Sequence, residues 1–374
     1  MSELSKLRIV LDTRSDVSPR EHLPTRNVHT ASKVISGKKV RGAFLTSIRR
    51  MICPYHESKR CVNCEQQDSC EFSNEIIPAL ISAGPALPKC DCEKPRELEN
   101  PPATYLTCKL CSEADEVHDA TNSFLTTGDI SHAEYCKTHT ESYYRVQFKG
   151  SVCLSCGKPL KEPWISMRPS VGINSTTGSA EEGELYFSQT VSYPAALATE
   201  LTVKSSKIQD YVSELETDTE LLQLGAGRSR GWGIVEINNV EKEISEEEFI
   251  DQKAPAIADC VRQYGGFVVI AKTGIASLLE AEDGYHSMPR VDNILGAKLA
   301  KSFGRTMSFS GWSLMTNLQK PRIRTAQPGS VFFYEVDDPD SFDYQALARK
   351  ELTGIGQETM INSQLNQIVF WEGR

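Results

Sequence analysis

Residues 224–233 read Leu-Gly-Ala-Gly-Arg-Ser-Arg-Gly-Trp-Gly and run directly into Ile234-Val235-Glu236-Ile237, which alternates like a strand. Glycine lets the backbone take positive φ and approach a ligand with no Cβ in the way, and arginine offers a planar fork of donors that fits phosphate. The loop therefore reads as a holder of a polyanion. Upstream, Ile208, Tyr211, Val212, Leu215, Leu221 and Leu222 recur at roughly helical spacing. A dinucleotide fingerprint needs a strand before its glycines and a helix after, and a P-loop needs Gly-Lys-Ser/Thr opening a helix. Helix, glycine loop, strand is the reverse order, which argues against a nucleotide cofactor. A solvated turn is the bland alternative, but a turn needs fewer glycines and no arginines.

Working outward, the pattern predicts a strand at 6–13, a helix near 40–52, strands at 164–173, 184–192 and 198–204, a helix at 206–222 and a strand at 233–239. That is the βαββαβ order, interrupted after its first helix. The acidic run 241–248 reads as linker and helix start. Beyond it come a helix at 247–263, a strand at 266–272, strands at 306–315 and 329–336, a helix at 341–352 and a strand at 366–371. The fold class expected is α+β, with two ferredoxin-like (RRM-like) βαββαβ halves. Residues 1–52 and 158–240 form the N-terminal domain, 53–157 a cysteine-rich insert, and 241–374 a degenerate C-terminal domain; one large mixed domain is the other division. Leu352-Thr-Gly-Ile-Gly-Gln357 echoes the glycine loop without its arginines.

With 374 residues, 39% hydrophobic and 24% charged, the chain can bury one large or two ordinary cores. It has no apolar run of eighteen residues, and the opening MSELSKLRIVLDTRSD alternates instead of forming an apolar signal core. A cytoplasmic protein with no membrane partner is expected. The formal net charge is −9, but residues 1–60 carry thirteen Lys or Arg against five Asp or Glu. A second basic stretch, 286–330, sets Arg290, Lys298, Lys301, Arg305, Lys320, Arg322 and Arg324 against Asp292. Such segments can track a phosphate backbone even when the total is acidic. Phe44, Phe303, Phe309 and Trp312 accompany them as candidate stacking surfaces or core residues.

Eleven of twelve cysteines fall between 53 and 156, in a chain with no secretory signal, which points to thiolate metal sites before disulfides. The short spacings are Cys61-x2-Cys64, Cys90-x-Cys92, Cys108-x2-Cys111, Cys136-x2-His139 and Cys153-x2-Cys156. Two ligands two residues apart can turn back on one metal, so twelve ligands suffice for two to three structural zinc ions. Cys53, Cys61, Cys64 and Cys70 form the first set. The rest divide either as Cys90, Cys92, Cys108, Cys111 with Cys136, His139, Cys153, Cys156, or with the 108/111 and 153/156 knuckles sharing an ion; His132 is an alternative ligand. Cys260 stands alone and reads as a core residue.

The loop GAGRSRGWGIVEI resembles the glycine-rich loop of the RAMP superfamily (repeat-associated mysterious proteins), RNA-binding subunits of CRISPR effector complexes. Lys39-Val-Arg-Gly-Ala-Phe-Leu45 resembles the family's first-helix signature, Gly183-Glu-Leu-Tyr-Phe187 its central strand, and Gln327-Pro-Gly-Ser-Val-Phe-Phe333 a strand of its second domain. With the cysteine-rich insert, the order is similar to the Csx-ten-like, Cas-five-type subunits of type III-D effectors and minimal relatives such as type VII. The resemblance implies a non-catalytic subunit of a ribonucleoprotein complex for antiviral defence, which caps the 5′ repeat-derived handle of the guide RNA. Its partners would be that RNA, backbone RAMP subunits and a large or nuclease subunit. The RNA contacts expected are Gly225, Ala226, Gly227, Arg228, Ser229, Arg230, Gly231 and Trp232, with Lys38, Lys39 and Arg41 lining the groove and His29 nearby. The knuckle arrangement it implies favours the second division of the ligands. Two other readings stay open: a repeat-specific, metal-independent endoribonuclease using His29, and a zinc-organised adaptor that binds protein alone. His22 and His29 sit where a base would be placed, but no Tyr or Lys is spaced to pair with them.

Overall fold

The computed structural model describes residues 4–20, 28–57, 61, 64–111, 117–131, 133–173, 176–177, 179–217, 222–277, 288–310, 312–313, 318–319, 322–357, 360–361 and 364–373. Strand β1 (Ser5–Thr13) buries Leu7, Ile9 and Leu11 on one face, as a period of two requires, and turns Lys6 and Arg8 to the other. Helix α1 (Gly37–Ile52) covers the apolar face with Val40, Phe44 and Ile48, four residues apart, and with Ala43 and Ser47. Its start is fixed by a close approach, since a Cβ at Gly37 would overlap the carbonyl oxygen of Ala83. Strand β2 (Leu80–Ala83) follows. The hairpin β3 (Trp164–Ile173) and β4 (Ala180–Ser192) leads to β5 (Leu197–Val203), helix α2 (Ser206–Thr217) and β6 (Ile234–Ser245). The sheet runs β6-β1-β5-β2, all antiparallel, which is ferredoxin-like order.

Two details differ from the expected layout. The second strand of this sheet is Leu80–Ala83, inside the range read as insert, whereas 164–173 and 180–192 form a separate ribbon joined by Val28–His29. Four residues bounded by prolines and glycine are too short for periodicity to register. The acidic run is also no linker: β6 continues through it to Ser245, paired with Ser5. Glu241 there sits on Arg8 at 3.0 Å and on Lys89, so charge pairing carries what looked like a solvated stretch.

Helix α3 (Glu246–Tyr264) starts at Ser245, whose hydroxyl accepts from the amide of Glu248, with Glu246, Glu247 and Glu248 in the first turn where the helix dipole favours them. Strands β7 (Gly266–Ala271), β8 (Ala297–Phe303) and β9 (Val331–Glu335), helix α4 (Tyr344–Thr353) and β10 (Ile368–Phe370) complete the second half. Their order, β8-β9-β7-β10, is again ferredoxin-like, with α3 packed against α4. The strand expected at 306–315 lies off this sheet: Thr306–Phe309 pairs with Ile323–Ala326, and β8 takes the sheet position. Its alternation, Ala297, Leu299, Lys301, Phe303 against exposed partners, was masked by lysines in a basic stretch.

The insert packs where the sequence did not suggest. On β7, Phe267, Val269 and Ala271 face α3 and α4, while Val268 and Ile270 meet Leu98, Tyr105, Phe124, Leu125 and Phe148 of the insert. Inserted in the first half by sequence, it forms a layer on the second sheet. Arg8 pairs with Glu97 through both terminal nitrogens, at 2.8 and 2.7 Å, and Arg96 pairs with Glu372 at 2.8 Å, so two adjacent residues tie the insert to both halves. No helix among the described residues is long and apolar enough to cross a membrane.

Candidate nucleic-acid interface and metal centres

The glycine loop leaves Leu222–Gln223, which pairs with the start of β6, and closes on itself. The Leu224 amide donates to the Gly233 carbonyl (2.8 Å), and the Gly233 amide to the Asp16 carbonyl (2.8 Å). Ala226 donates to Ser18 (2.9 Å), and Arg230 and Trp232 both donate to the Gly227 carbonyl. Gly225, Gly227, Gly231 and Gly233 all have φ between 75° and 84°. At Gly233 a Cβ would overlap the Leu224 carbonyl, and at Gly227 the ring of Trp232, so glycine is required at both. The amides of Ala226 and Gly233 thus hold the loop to the segment after β1. What the loop presents is a 3-10 turn, Arg228–Arg230, with Ser229, Arg230 and Gly231 exposed. The placement of the Arg228 side chain lies outside the described residues.

The β3–β4 hairpin packs beside this turn. Asp16 accepts from Arg168 (2.6 Å), Thr190 (3.1 Å) and Ser192 (2.5 Å), and the Ser192 bond leads in holding its carboxyl below the ordinary value. Arg230 donates to the Tyr186 hydroxyl and lies 5.3 Å from that ring and 5.4 Å from the Trp232 ring. His29 stands edge-on to Tyr186 with centroids 6.0 Å apart, and Arg20 reaches Ser188 Oγ at 3.4 Å. Burial first, then Arg20 and Arg230, lowers the His29 pKa; burial and Arg230 lower that of Arg20. Neither Arg20 nor Arg230 has a carboxylate partner among the described residues.

The groove residues divide. Lys38 reaches the Ser310 carbonyl (3.1 Å) and lies 4.9 Å from the Phe309 ring, joining the two basic stretches. Lys39 donates its amide to Ser36 at the helix start. Arg41 is corrected: its guanidinium turns inward to the carbonyls of Leu80 (2.8 Å) and Ile77 (2.7 Å), and burial lowers its pKa to about 10. It anchors β2. Phe44 is core, which removes it as a stacking surface, and Phe303 is half-buried and packs on Phe124. His22, His132 and Lys320 lie outside the described residues. The sequence reading missed Arg20 and Tyr186. Tyr186 sat within the quoted strand signature, and its strand parity relative to Ser188 and Thr190 was the available signal.

Two sets of four ligand atoms each lie within 4.8 Å of one another: Cys90, Cys92, Cys153, Cys156, and Cys108, Cys111, Cys136, His139. Neither expected division is right, and the sheet pairing explains why. Glu97 pairs with Cys153 across a two-strand ladder, which carries the 153/156 knuckle to 90/92. Cys108 pairs with Arg145, which closes the intervening loop on itself and gathers 108/111 with 136/139. The contacts Cys90–Cys156 and Cys92–Cys153 are 3.6 Å and Cys111–Cys136 is 3.4 Å; His139 Nδ1 lies 3.5–3.7 Å from its three sulfurs. A tetrahedron with sulfur about 2.3 Å from its centre has edges of about 3.8 Å, so both clusters could hold a metal ion. The His139 amide donates to Cys136 Sγ at 3.3 Å and leads in lowering that thiol's pKa to about 6. Cys53, Cys61, Cys64 and Cys70 line one cavity with Arg49, Tyr55, Phe72 and Ser73. Cys260 is buried in the core.

No protein-family model matches the chain, and no curated protein does. Among solved structures it is similar to a chain of type III-B Cmr-beta, seen by cryo-EM bound to cognate target RNA and AMPPnP. That similarity has 11% identity and TM-score 0.47, covering 87% of this chain and 86% of that one. It is also similar to a chain of the Csm3-Csm4 subcomplex of the type III-A CRISPR-Cas interference complex, at 10% identity and TM-score 0.37, covering 89% and 92%.

Proposed function

We propose that this protein is a non-catalytic RNA-binding subunit that grips the 5′ repeat-derived handle of a CRISPR guide RNA and seats the first backbone subunit of a type III-like effector. The observation that carries the reading is the arginine-bearing turn of the glycine loop, beside His29, Arg20, Tyr186 and Trp232, with cationic groups facing one another and no carboxylate partner among the described residues. Like charges gathered without a counter-charge suit a polyanion, and adjoining aromatic rings suit a splayed base. The sequence resemblance supplies the handle and the effector. In the insert, thiolate and imidazole donors with every position taken by protein fit structural zinc, which would order the loops that carry them.

The test is binding of repeat-derived RNA to the full chain, with nuclease protection of the handle and elemental analysis of the same sample. Expected are preference for a free 5′ handle, protection of its few nucleotides, no cleavage with or without EDTA, and about two to three zinc ions per chain. No RNA affinity would overturn the reading in favour of a protein-only adaptor; absence of zinc, or stoichiometric iron, would overturn the metal assignment. One observation favours a second reading. Tyr186 stands edge-on to His29, where the two would form an acid–base pair that sequence spacing did not reveal. If the protein trims a repeat transcript at one site, and His29→Ala and Tyr186→Phe each abolish it, the chain is a metal-independent endoribonuclease.

A further inference from the structure

Arg20 Nε and His29 Nδ1 are buried nitrogens with no hydrogen-bond partner among the described residues. Buried polar atoms in native folds are nearly always paired, so two orphans in one cluster call for a ligand that accepts hydrogen bonds. The groups that face His29 are Arg20 from the segment after β1, Arg230 from the glycine-loop turn and Tyr186 from β4. Asp16, on the described part of the segment carrying Arg20, is already engaged by Arg168, Thr190 and Ser192. Nothing anionic is left to this cluster from within the described fold.

We infer that Arg20, His29 and Arg230 form a seat for a single phosphate group of the bound RNA, with His29 taking up a proton as the phosphate enters. This rests on the RNA-binding reading and adds to it three contacting residues and a pH dependence. Each arginine can offer two parallel donors to phosphate oxygens, and Tyr186 holds Arg230 in place through its hydroxyl. In the free protein, burial and the two guanidinium groups disfavour the imidazolium, so His29 is neutral near neutral pH. A phosphate between the three reverses the local field and raises the His29 pKa. Binding then takes up a proton, and affinity must rise as pH falls through the window between the bound and free values.

The experiment is fluorescence anisotropy of the full chain with a short handle RNA, carrying either a 5′-hydroxyl or a 5′-phosphate, from about pH 8 to pH 5.5. The wild-type affinity is expected to rise toward low pH, by up to tenfold for each unit the His29 pKa gains on binding. His29→Gln should bind with the high-pH affinity at every pH. Arg20→Lys, which keeps the charge and loses the fork, should weaken binding severalfold without changing thermal unfolding. A preference for the 5′-phosphate oligomer would mark the seat as terminal; equal affinity would mark it as holding an internal phosphodiester. If the wild type binds RNA and either variant keeps its full affinity and pH profile, the seat is overturned while the RNA-binding role stands. If the wild type binds no RNA, both fall.

Discussion

The two glycine loops share a pair of positive-φ glycines and differ in what surrounds them. Gly225 and Gly354 both have φ of 84°, and Gly227 and Gly356 have 78° and 76°. In the first loop these glycines close on Ser18 and the Trp232 ring, and the opening lies at the turn, where a Cβ at Gly231 would meet nothing within 4 Å and Arg230 lies beside Trp232 and Tyr186. In the second the space is filled by Asn366, itself at φ 59°, whose side chain bonds the Ile355 carbonyl (3.0 Å) and both backbone groups of Ala276 (2.7 and 3.1 Å). Gln364 extends this inward closure by bonding Ala83 and Ile81 of β2, across the junction between halves. Positive-φ glycines therefore specify a tight loop and not a ligand. A side-chain amide occupying the loop makes it a structural joint, whereas cations beside an open turn would suit a receptor.

The strongest way to break this contrast is at the joint. Lys272, whose amide donates to Gln367, pairs through its ammonium with Glu200 (2.6 Å), which also holds Lys6 (2.9 Å). Burial raises the Glu200 carboxyl pKa, but Lys272 and Lys6 together outweigh it and hold it well below the ordinary 4.5. Glu200→Gln strands two buried ammonium groups and should cost roughly 3–5 kcal/mol in thermal or urea unfolding. Because the folded pKa is depressed, the stability from this group is full above about pH 4.5 and lost as pH falls through the folded value. The variant should lack that acid dependence. An unaltered acid profile would show that the pair does not join the halves.

Asn366→Ala, next in size, empties the second loop. It leaves one amide and two carbonyls of a buried site unpaired, and should cost about 3 kcal/mol, with RNA affinity unchanged. A loss of RNA affinity at unchanged stability would make the second loop a receptor after all. In the first loop the outcome is reversed. Arg228→Ala with Arg230→Ala should leave unfolding within about 0.5 kcal/mol of wild type. RNA binding should weaken at every sequence, the log–log salt slope falling by about 0.7 for each phosphate that the loop no longer neutralises. An unchanged slope would remove the loop from the interface.

What the sequence disclosed follows the range of the interactions involved. Long amphipathic elements such as β1, α1 and α3 were readable because burial repeats at a fixed period along them. The candidate metal ligands were readable as residue types at knuckle spacings, but the division of eight of them into two clusters was not. It is decided by the Glu97–Cys153 and Cys108–Arg145 pairings, which join segments far apart in the chain. Arg41 escaped for a similar reason: a basic residue beside two lysines looks solvated until β2 is known to start beneath it. His29 and Arg230 were identified singly. Their meeting with Arg20 and Tyr186 depends on the parallel pairing of Val28–His29 with β4, a contact no local pattern encodes.

The finest distinction between the loops lies at Gly231, where φ is 75° and a Cβ would meet nothing within 4 Å. Gly231→Ala should cost only the backbone penalty, about 1 kcal/mol, because no neighbour must move. Gly356→Ala carries the same penalty, but its Cβ would lie 3.0 Å from Asn366 Nδ2, so the second-loop variant should unfold more readily. RNA affinity separates them in the other direction. If a nucleotide lies against the first loop, a methyl at 231 enters its space and weakens binding more than the drop in stability accounts for, whereas the change at 356 leaves affinity untouched. Gly231→Asn is the control, since asparagine tolerates the left-handed region while occupying still more of that space. Should Gly231→Asn bind RNA as tightly as wild type, the opening beyond this turn is solvent, and the distinction between receptor and joint reduces to charge alone.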